Sequence, residues 1–162
     1  MSSTDGIPSA KPAYYLSAGA WAIAVLAMTA VHHAYGAALY QTAWRNHVLF
    51  LALPAALLIL ALLYIGWTRR RSRLGKLTTA AAAIVILIVP VAAIGVYEGG
   101  YNHLTKNIVF FLGGEARALA MFPPPTYEMP NDLAFELTGI AQFPLAVLAA
   151  AYTLRLLWVS RA

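Results

Sequence analysis

The four histidines of this sequence lie in two short polar stretches, and each stretch stands at the end of a strongly apolar run. The stretches cover residues 31–47 and 97–103, and the second also contains a glutamate. Imidazole nitrogens and carboxylate oxygens are common ligands of transition-metal ions in proteins. The candidate metal ligands are His32, His33, His47, Glu98 and His103. A metal site is predicted if the fold brings the two stretches together.

The composition is typical of a membrane protein. Of the 162 residues, 61% are hydrophobic and only 10% are charged, whereas about a quarter are charged in an ordinary soluble domain. Cysteine is absent, which excludes disulfides, thiolate zinc sites and iron–sulfur clusters. The net charge of +5 would suggest a nucleic-acid partner for a soluble protein. In a membrane chain the distribution of the basic residues matters more, and we expect no nucleic-acid partner.

Four apolar runs are long enough to cross a hydrocarbon core of about 30 Å as helices. The predicted helices cover about residues 13–34, 44–67, 77–98 and 132–158, with an interfacial segment at about 104–122. The first run is too long for the apolar part of a signal peptide and lacks a basic start, so we expect a retained helix. The predicted fold class is an all-α integral membrane protein, a single transmembrane domain over residues 1–162. Its architecture is an up-down four-helix bundle with a long outer loop between helices three and four.

The basic residues predict how this bundle is oriented. Most of them fall on the side of the 68–76 connector, which we therefore place in the cytoplasm. They are Lys11, Arg69, Arg70, Arg71, Arg73, Lys76, Arg155 and Arg161, against Arg45, Lys106 and Arg117 on the opposite side. Both termini are then cytoplasmic and both polar stretches face outward, toward the periplasm of a bacterial inner membrane. The expected partners are the lipid bilayer and either further copies of the chain or other membrane subunits.

Local spacing refines the candidate site. His32 and His33 are about 100° apart on a helix, so we expect one to bind the metal and the other to hydrogen-bond nearby. Gly99 and Gly100 are predicted to end the third helix and fold the chain back, bringing Glu98 close to His103. Residues expected to contact a cofactor are Tyr35, Arg45, Tyr101 and Asn102, with Arg45 pairing with Glu98 or anchoring the chain at the interface. Predicted helix caps are Thr42 and either Asn131 or Asp132. Glu136 is interpreted as a charge that stabilises a helix start, with metal ligation as the alternative.

Copper is the metal that the sequence favours, because Met28, Met121 and Met129 fall on the same half of the chain as the histidines. Iron and zinc remain alternatives. Heme b would need two facing histidines, such as His33 with His47 or His103. The nearby carboxylate argues for a bare ion over heme.

Three classes of function follow from these observations. The first is a redox or metal-handling membrane protein with an outer-side His/Glu site. The second is an accessory subunit of a larger respiratory or oxygenase complex, with heme b or quinone as possible cofactors. The third is a small transporter or lipid-binding module. The sequence contains no H-E-x-x-H, P-loop or G-x-S-x-G element, so no residue is assigned a catalytic role and enzymatic activity stays an open question.

Overall fold

Helices make up most of the computed structural model, which describes residues 12–160. In chain order the elements are α1 (Pro12–Leu39), a 3₁₀ turn (Ala43–Asn46), α2 (His47–Thr68), α3 (Arg73–Ile86), a π-helical segment (Leu87–Thr105), α4 (Lys106–Gly113), α5 (Glu115–Met121) and α6 (Leu133–Ser160). Four stretches are long and apolar enough to cross a membrane: Pro12–Leu39, Ala43–Thr68, Arg73–Gly113 and Leu133–Ser160. The predicted all-α class with four such helices is confirmed. Lys11, Arg161 and the predicted lead-in before Pro12 lie outside the described residues.

Side-chain caps define two of the helix starts. Ser72 accepts a hydrogen bond from the backbone N–H of Gly75 at the start of α3. Asp132 accepts one from the N–H of Phe135 at 2.8 Å, which places the cap of α6 at one of its two predicted positions. The predicted cap Thr42 makes no such bond. Its hydroxyl instead accepts a hydrogen bond from Nε of Arg45 at 2.8 Å.

The third apolar helix does not end near Glu98, as the sequence predicts, but continues to Gly113. Gly99 is part of the helix, where it allows close packing against α6. A Cβ added there would lie 2.7 Å from the backbone nitrogen of Phe143. Backbone groups cannot be left unpaired in hydrocarbon, so a glycine in a spanning helix serves packing more readily than a turn. The chain turns instead at Gly114, whose φ is +89°, and the predicted interfacial segment is split into α4 and α5.

The helices enclose a narrow core, but they are not equally close to one another at every point. α1 packs along α6 and α2, α6 packs along the π-helical segment, and α2 packs against α3. Small side chains such as Ala18, Ala22 and Ala149 are fully buried between the helices. α2 is not closely packed against the π-helical segment. A gap therefore remains between them at the end of the bundle where α1 ends and α6 begins, which we call the site end.

The surface of α2 is strongly apolar. Phe50, Leu53 and Leu57 are 78%, 64% and 60% exposed. Exposed apolar side chains in such density would be unfavourable in water but are normal against lipid. This surface is consistent with contact between the helices and a bilayer.

Candidate metal centre

The π-helical segment brings Glu98 and His103 to the same side of one helix. Backbone hydrogen bonds in a π-helix join residues five apart, so these two side chains lie one turn apart. In an α-helix of 3.6 residues per turn they would point about 140° away from each other. His103 Nε2 lies 3.6 Å from Glu98 Oε1. The π-helical geometry, not the predicted chain reversal at the glycines, forms this pair.

Three imidazole Nε2 atoms converge on the same Oε1 of Glu98. Their distances from it are 3.6 Å for His103, 3.9 Å for His32 and 4.0 Å for His33. The rings of His32 and His103 are buried and lie edge to face, with their centroids 4.5 Å apart. His32, Glu98 and His103 each offer one donor atom, and these three atoms lie within 4.8 Å of one another. Although only one of the adjacent histidines was expected to face the site, both reach Glu98.

The other ring nitrogen of each of these histidines already has an acceptor. The acceptors of Nδ1 are a Glu136 carboxylate oxygen for His103 (3.0 Å), the Thr29 carbonyl for His33 (3.0 Å) and the Thr138 hydroxyl for His32 (3.1 Å). The Thr138 hydroxyl donates its own proton to the backbone of α6, so it acts as an acceptor toward the ring. Nδ1 therefore holds the proton in each neutral imidazole, and this assignment follows from the partners. The Nε2 lone pair of each ring is left facing Glu98.

Lone pairs and a carboxylate oxygen repel one another unless a metal ion, or a proton on one of the ring nitrogens, lies between them. The orientation of the Glu98 carboxylate is set by Asn102, whose Nδ2 donates to Oε2 at 2.8 Å. A tetrahedral ion with bonds of about 2.1 Å holds its donor atoms about 3.4 Å apart. The observed Nε2–Oε1 distances exceed this by 0.2 to 0.6 Å. The donor atoms of His32, Glu98 and His103 lie within 4.8 Å of one another, so they must draw together by up to about 1.4 Å to bind a tetrahedral ion. The group can provide two or three histidine nitrogens and one carboxylate oxygen.

A second buried network lies behind His103. The Glu136 carboxylate accepts hydrogen bonds from Nδ1 of His103, from Nζ of Lys106 at 2.8 Å and from the side-chain amide of Asn107. Lys106 also donates to the backbone carbonyl of Glu128 at 2.6 Å. Lys106 and Glu136 are only 2% and 4% exposed. A carboxylate on the far nitrogen of a ligating histidine orients its ring and raises its basicity, and Glu136 is placed to do this.

Sequence reasoning did not detect this network. The sequence indicates Glu136 as a charge at a helix start, and Lys106 only as one of the basic residues that predict the orientation of the bundle. A signal was present, because both charges lie in apolar helices close to the histidine stretches. An ionisable group in such a position usually has a partner. Pairing these two charges would have placed α4 beside the start of α6.

A cavity of about 390 Å³ lies beside the histidine cluster. His33, Glu98, Asn102 and His103 line its polar side, while His32 lies behind them and does not line it. The remaining walls include residues of α2, the π-helical segment and the loop before α6. A molecule in the cavity would therefore be close to the proposed metal ligands.

The other residues predicted for the site take different positions. His47 is exposed, and its Nδ1 lies 2.7 Å from the Trp44 carbonyl. Its ring centroid lies 6.4 Å from that of His33, and it lines the cavity outside the cluster. Arg45 also lines the cavity, but it pairs with Glu128 at 3.3 Å and not with Glu98.

The two tyrosines predicted to contact a cofactor lie outside the cavity lining. Tyr35 donates to the Asp132 carboxylate at 3.2 Å. Tyr101 stacks on Tyr97, with ring centroids 6.0 Å apart, and contacts Phe122. Of the four predicted contact residues, only Asn102 and Arg45 face the cavity.

Two tyrosine hydroxyls at the site end stay protonated at physiological pH. A hydrogen bond with Tyr97 and partial burial raise the pKa of Tyr127 to about 12. Burial and the nearby carboxylate of Glu136 raise the pKa of Tyr40 to about 12. Tyr127 lines the cavity, where its neutral phenol is a possible hydrogen-bond donor.

Comparison with known proteins does not assign the chain to a family. No protein-family model, no curated protein and no solved structure matches the chain.

Proposed function

We propose that this chain is an integral membrane protein that binds a transition-metal ion through His32, Glu98 and His103, with His33 as a fourth donor, and that it acts in redox chemistry or metal handling. The observation that supports it is the convergence of three Nε2 lone pairs on one carboxylate oxygen. The neutral Nε2 atoms and the carboxylate oxygen are all electron-pair donors, and a transition-metal ion binds such donors together. A protonated His103 paired with Glu98 is the alternative arrangement without an ion.

The donor set bears on the choice of metal. Two histidines with one carboxylate bind zinc in hydrolases and iron(II) in oxygenases. The sequence argument for copper depended on methionines, and none of Met28, Met121 and Met129 lines the cavity. Copper(II), iron(II) and zinc are therefore the three ions to be compared. The convergence on a single carboxylate favours an ion over heme b, which needs a histidine on each side of a macrocycle.

We also propose that the helices cross the membrane in alternating directions, with both termini in the cytoplasm and the metal site toward the periplasm. The support is the excess of basic residues in the connector between α2 and α3. A reporter fused after residue 162 tests the direction, because alkaline phosphatase is active only outside the cytoplasm and green fluorescent protein mainly within it.

Metal binding is tested on the full chain purified in detergent. Cobalt(II) is a useful probe because its visible absorption reports coordination by nitrogen and oxygen. We expect about one ion per chain in the wild type and loss of tight binding in His103→Ala and Glu98→Gln. His47→Ala is the matched control, because it removes a histidine that lies near the cavity but outside the cluster. Equal cobalt binding in all four proteins would exclude the proposed site.

Further outcomes of the same experiment separate the alternative functions. A Soret band in the purified protein would support heme b. Other membrane chains that co-purify in fixed proportion would support an accessory-subunit role.

A further inference from the structure

The cavity beside the metal cluster has a mouth on the side of the bundle. Residues that both line the cavity and are exposed to the surroundings mark this mouth. Trp44, His47 and Leu51 mark it on the α2 side, where Trp44 and Leu51 are 57% and 65% exposed, and Thr126 marks it in the loop before α6. Ala93 and Tyr97 mark it on the π-helical segment, and Tyr97 is 54% exposed. The opening therefore lies between the two elements that do not pack closely.

The position of this mouth along the helices indicates what can pass through it. Leu51 is seven residues beyond Trp44, so it lies about 10 Å further along the helix axis at 1.5 Å per residue. Tryptophan is enriched at the boundary between lipid and water. A mouth that begins at Trp44 and continues to Leu51 thus extends from the boundary into hydrocarbon. The part of the mouth beside Leu51 is therefore open to lipid.

The interior of the cavity has two chemically different parts. Leu26, Val48 and Ile94 contribute apolar walls. The polar residues that line the cavity include Arg45, Asn102 and Tyr127. Four aromatic side chains also line the cavity: Trp44, Tyr97, Tyr127 and Phe135. A ligand that matches these walls has an aromatic or quinoid ring, polar groups on that ring and an apolar extension.

We propose that the cavity binds a lipid-soluble ring compound with oxygen substituents, the chemistry of a quinone or hydroquinone, which enters sideways between α2 and the π-helical segment. The ring lies among the aromatic side chains with its oxygens toward Arg45 and the Tyr127 hydroxyl, and the apolar tail leaves through the mouth beside Leu51. The volume of about 390 Å³ is in the range of small-molecule sites and suits one substituted ring. This inference rests on the proposed function, because it names the ligand class of the same site.

Decylubiquinone, which has one ring and a ten-carbon tail, is the probe for this proposal. Quinones quench tryptophan fluorescence, and Trp44 lines the cavity whereas Trp21, Trp67 and Trp158 do not. Titration of the full chain in detergent micelles is expected to show a saturable quenching component that disappears in Trp44→Phe. The non-saturable component, due to quinone dissolved in the micelle, remains in both proteins.

Two variants with matched positions test the route. Ala93→Phe places a ring in the mouth and is expected to weaken saturable binding by about tenfold or more, because the ligand loses its space. Ala92→Phe is the control, since Ala92 is an exposed neighbour that does not line the cavity. Leu51→Phe obstructs the mouth from the facing helix without adding a tryptophan, and guards against a folding defect in one variant. Thermal unfolding of each protein verifies that it is folded.

The outcomes separate this proposal from the metal site. Equal saturable binding in wild type and Ala93→Phe, or equal loss in Ala92→Phe, would overturn the quinone proposal. Displacement of the probe by sodium oleate as readily as by duroquinone would also overturn it, in favour of an acyl-chain site. Bound cobalt is measured in the same samples. If the quinone results hold but no protein binds cobalt, the metal function fails and the ligand assignment stands.

Discussion

Glu136 Oε2 on α6 lies 3.0 Å from Nδ1 of His103, at the end of the π-helical segment. Through this contact Glu136 sets the direction in which the His103 ring presents its Nε2 to Glu98. The same carboxylate holds the ammonium group of Lys106 at 2.8 Å. Glu136 therefore has two separable roles: it orients a proposed metal ligand, and it neutralises a buried charge.

Glu136→Gln tests both roles. The amide no longer neutralises Lys106, and unpairing a buried ion costs about 3–5 kcal/mol of unfolding free energy. Loss of the carboxylate behind His103 is expected to weaken cobalt binding by about 10- to 100-fold. Thermal unfolding and cobalt titration measure the two effects separately.

The double variant Lys106→Met with Glu136→Gln distinguishes the roles. Removal of the unpaired ammonium should recover part of the lost stability but none of the lost metal affinity. Glu115→Gln, at an exposed position on α5, is the control and should change neither. Full recovery of cobalt binding in the double variant would show that Glu136 does not orient His103.

Gly139→Ala should disturb the site without removing a polar group. A Cβ at this position would run into the His103 ring, so the ring must shift away from Glu98. We expect about 1–3 kcal/mol of destabilisation from overpacking and a marked loss of cobalt affinity. In the control Gly113→Ala the new methyl meets only the flexible side chain of Arg117. Unchanged cobalt binding in Gly139→Ala would mean that the position of His103 is not critical.

Arg45→Ala should loosen the loop that leads into α6. Arg45 is 7% exposed, pairs with Glu128 and lies over the ring of Trp44 at 5.0 Å. A charged hydrogen bond of this kind contributes about 1.5–3 kcal/mol, so amide exchange in residues 123–131 should rise by about tenfold or more. Hydrogen–deuterium exchange with mass spectrometry measures it. Arg117→Ala, at an exposed position, should leave the exchange of this loop unchanged.

Gln142→Leu is expected to stabilise the protein. The side chain is completely buried on α6, and neither its Oε1 nor its Nε2 has a hydrogen-bond partner among the described residues. An unpaired buried amide costs about 1–3 kcal/mol, so an apolar side chain of similar size should raise the unfolding temperature. Thr126→Val, a polar-to-apolar change at an exposed position in the loop before α6, is the control and should leave the unfolding temperature unchanged. A lower unfolding temperature in Gln142→Leu would indicate that the amide has a structural role.

The histidine cluster shows how far sequence reasoning reached. Burial of apolar runs by lipid depends on composition and length alone, so the four helices could be predicted from the sequence. Their connections made it possible to predict that His32, His33 and His103 would lie at one end. The prediction that His47 joins them is not matched by the geometry, because the 3₁₀ turn directs its Nδ1 to the Trp44 carbonyl and its ring stays at the surface.

The tertiary structure decided which atoms meet. Glu98 and His103 share one side because the helix is π-helical there, and that local geometry has no simple sequence signature. Glu136 and Lys106 form a pair across helices far apart in sequence, which only the packing of α6 against the third helix determines. The sequence by itself determined a membrane protein with histidines at one end of its helices. An apolar run of sufficient length is favourable in lipid whichever helix packs beside it. The donor geometry required the folded chain, because it depends on ångström-scale contacts between helices.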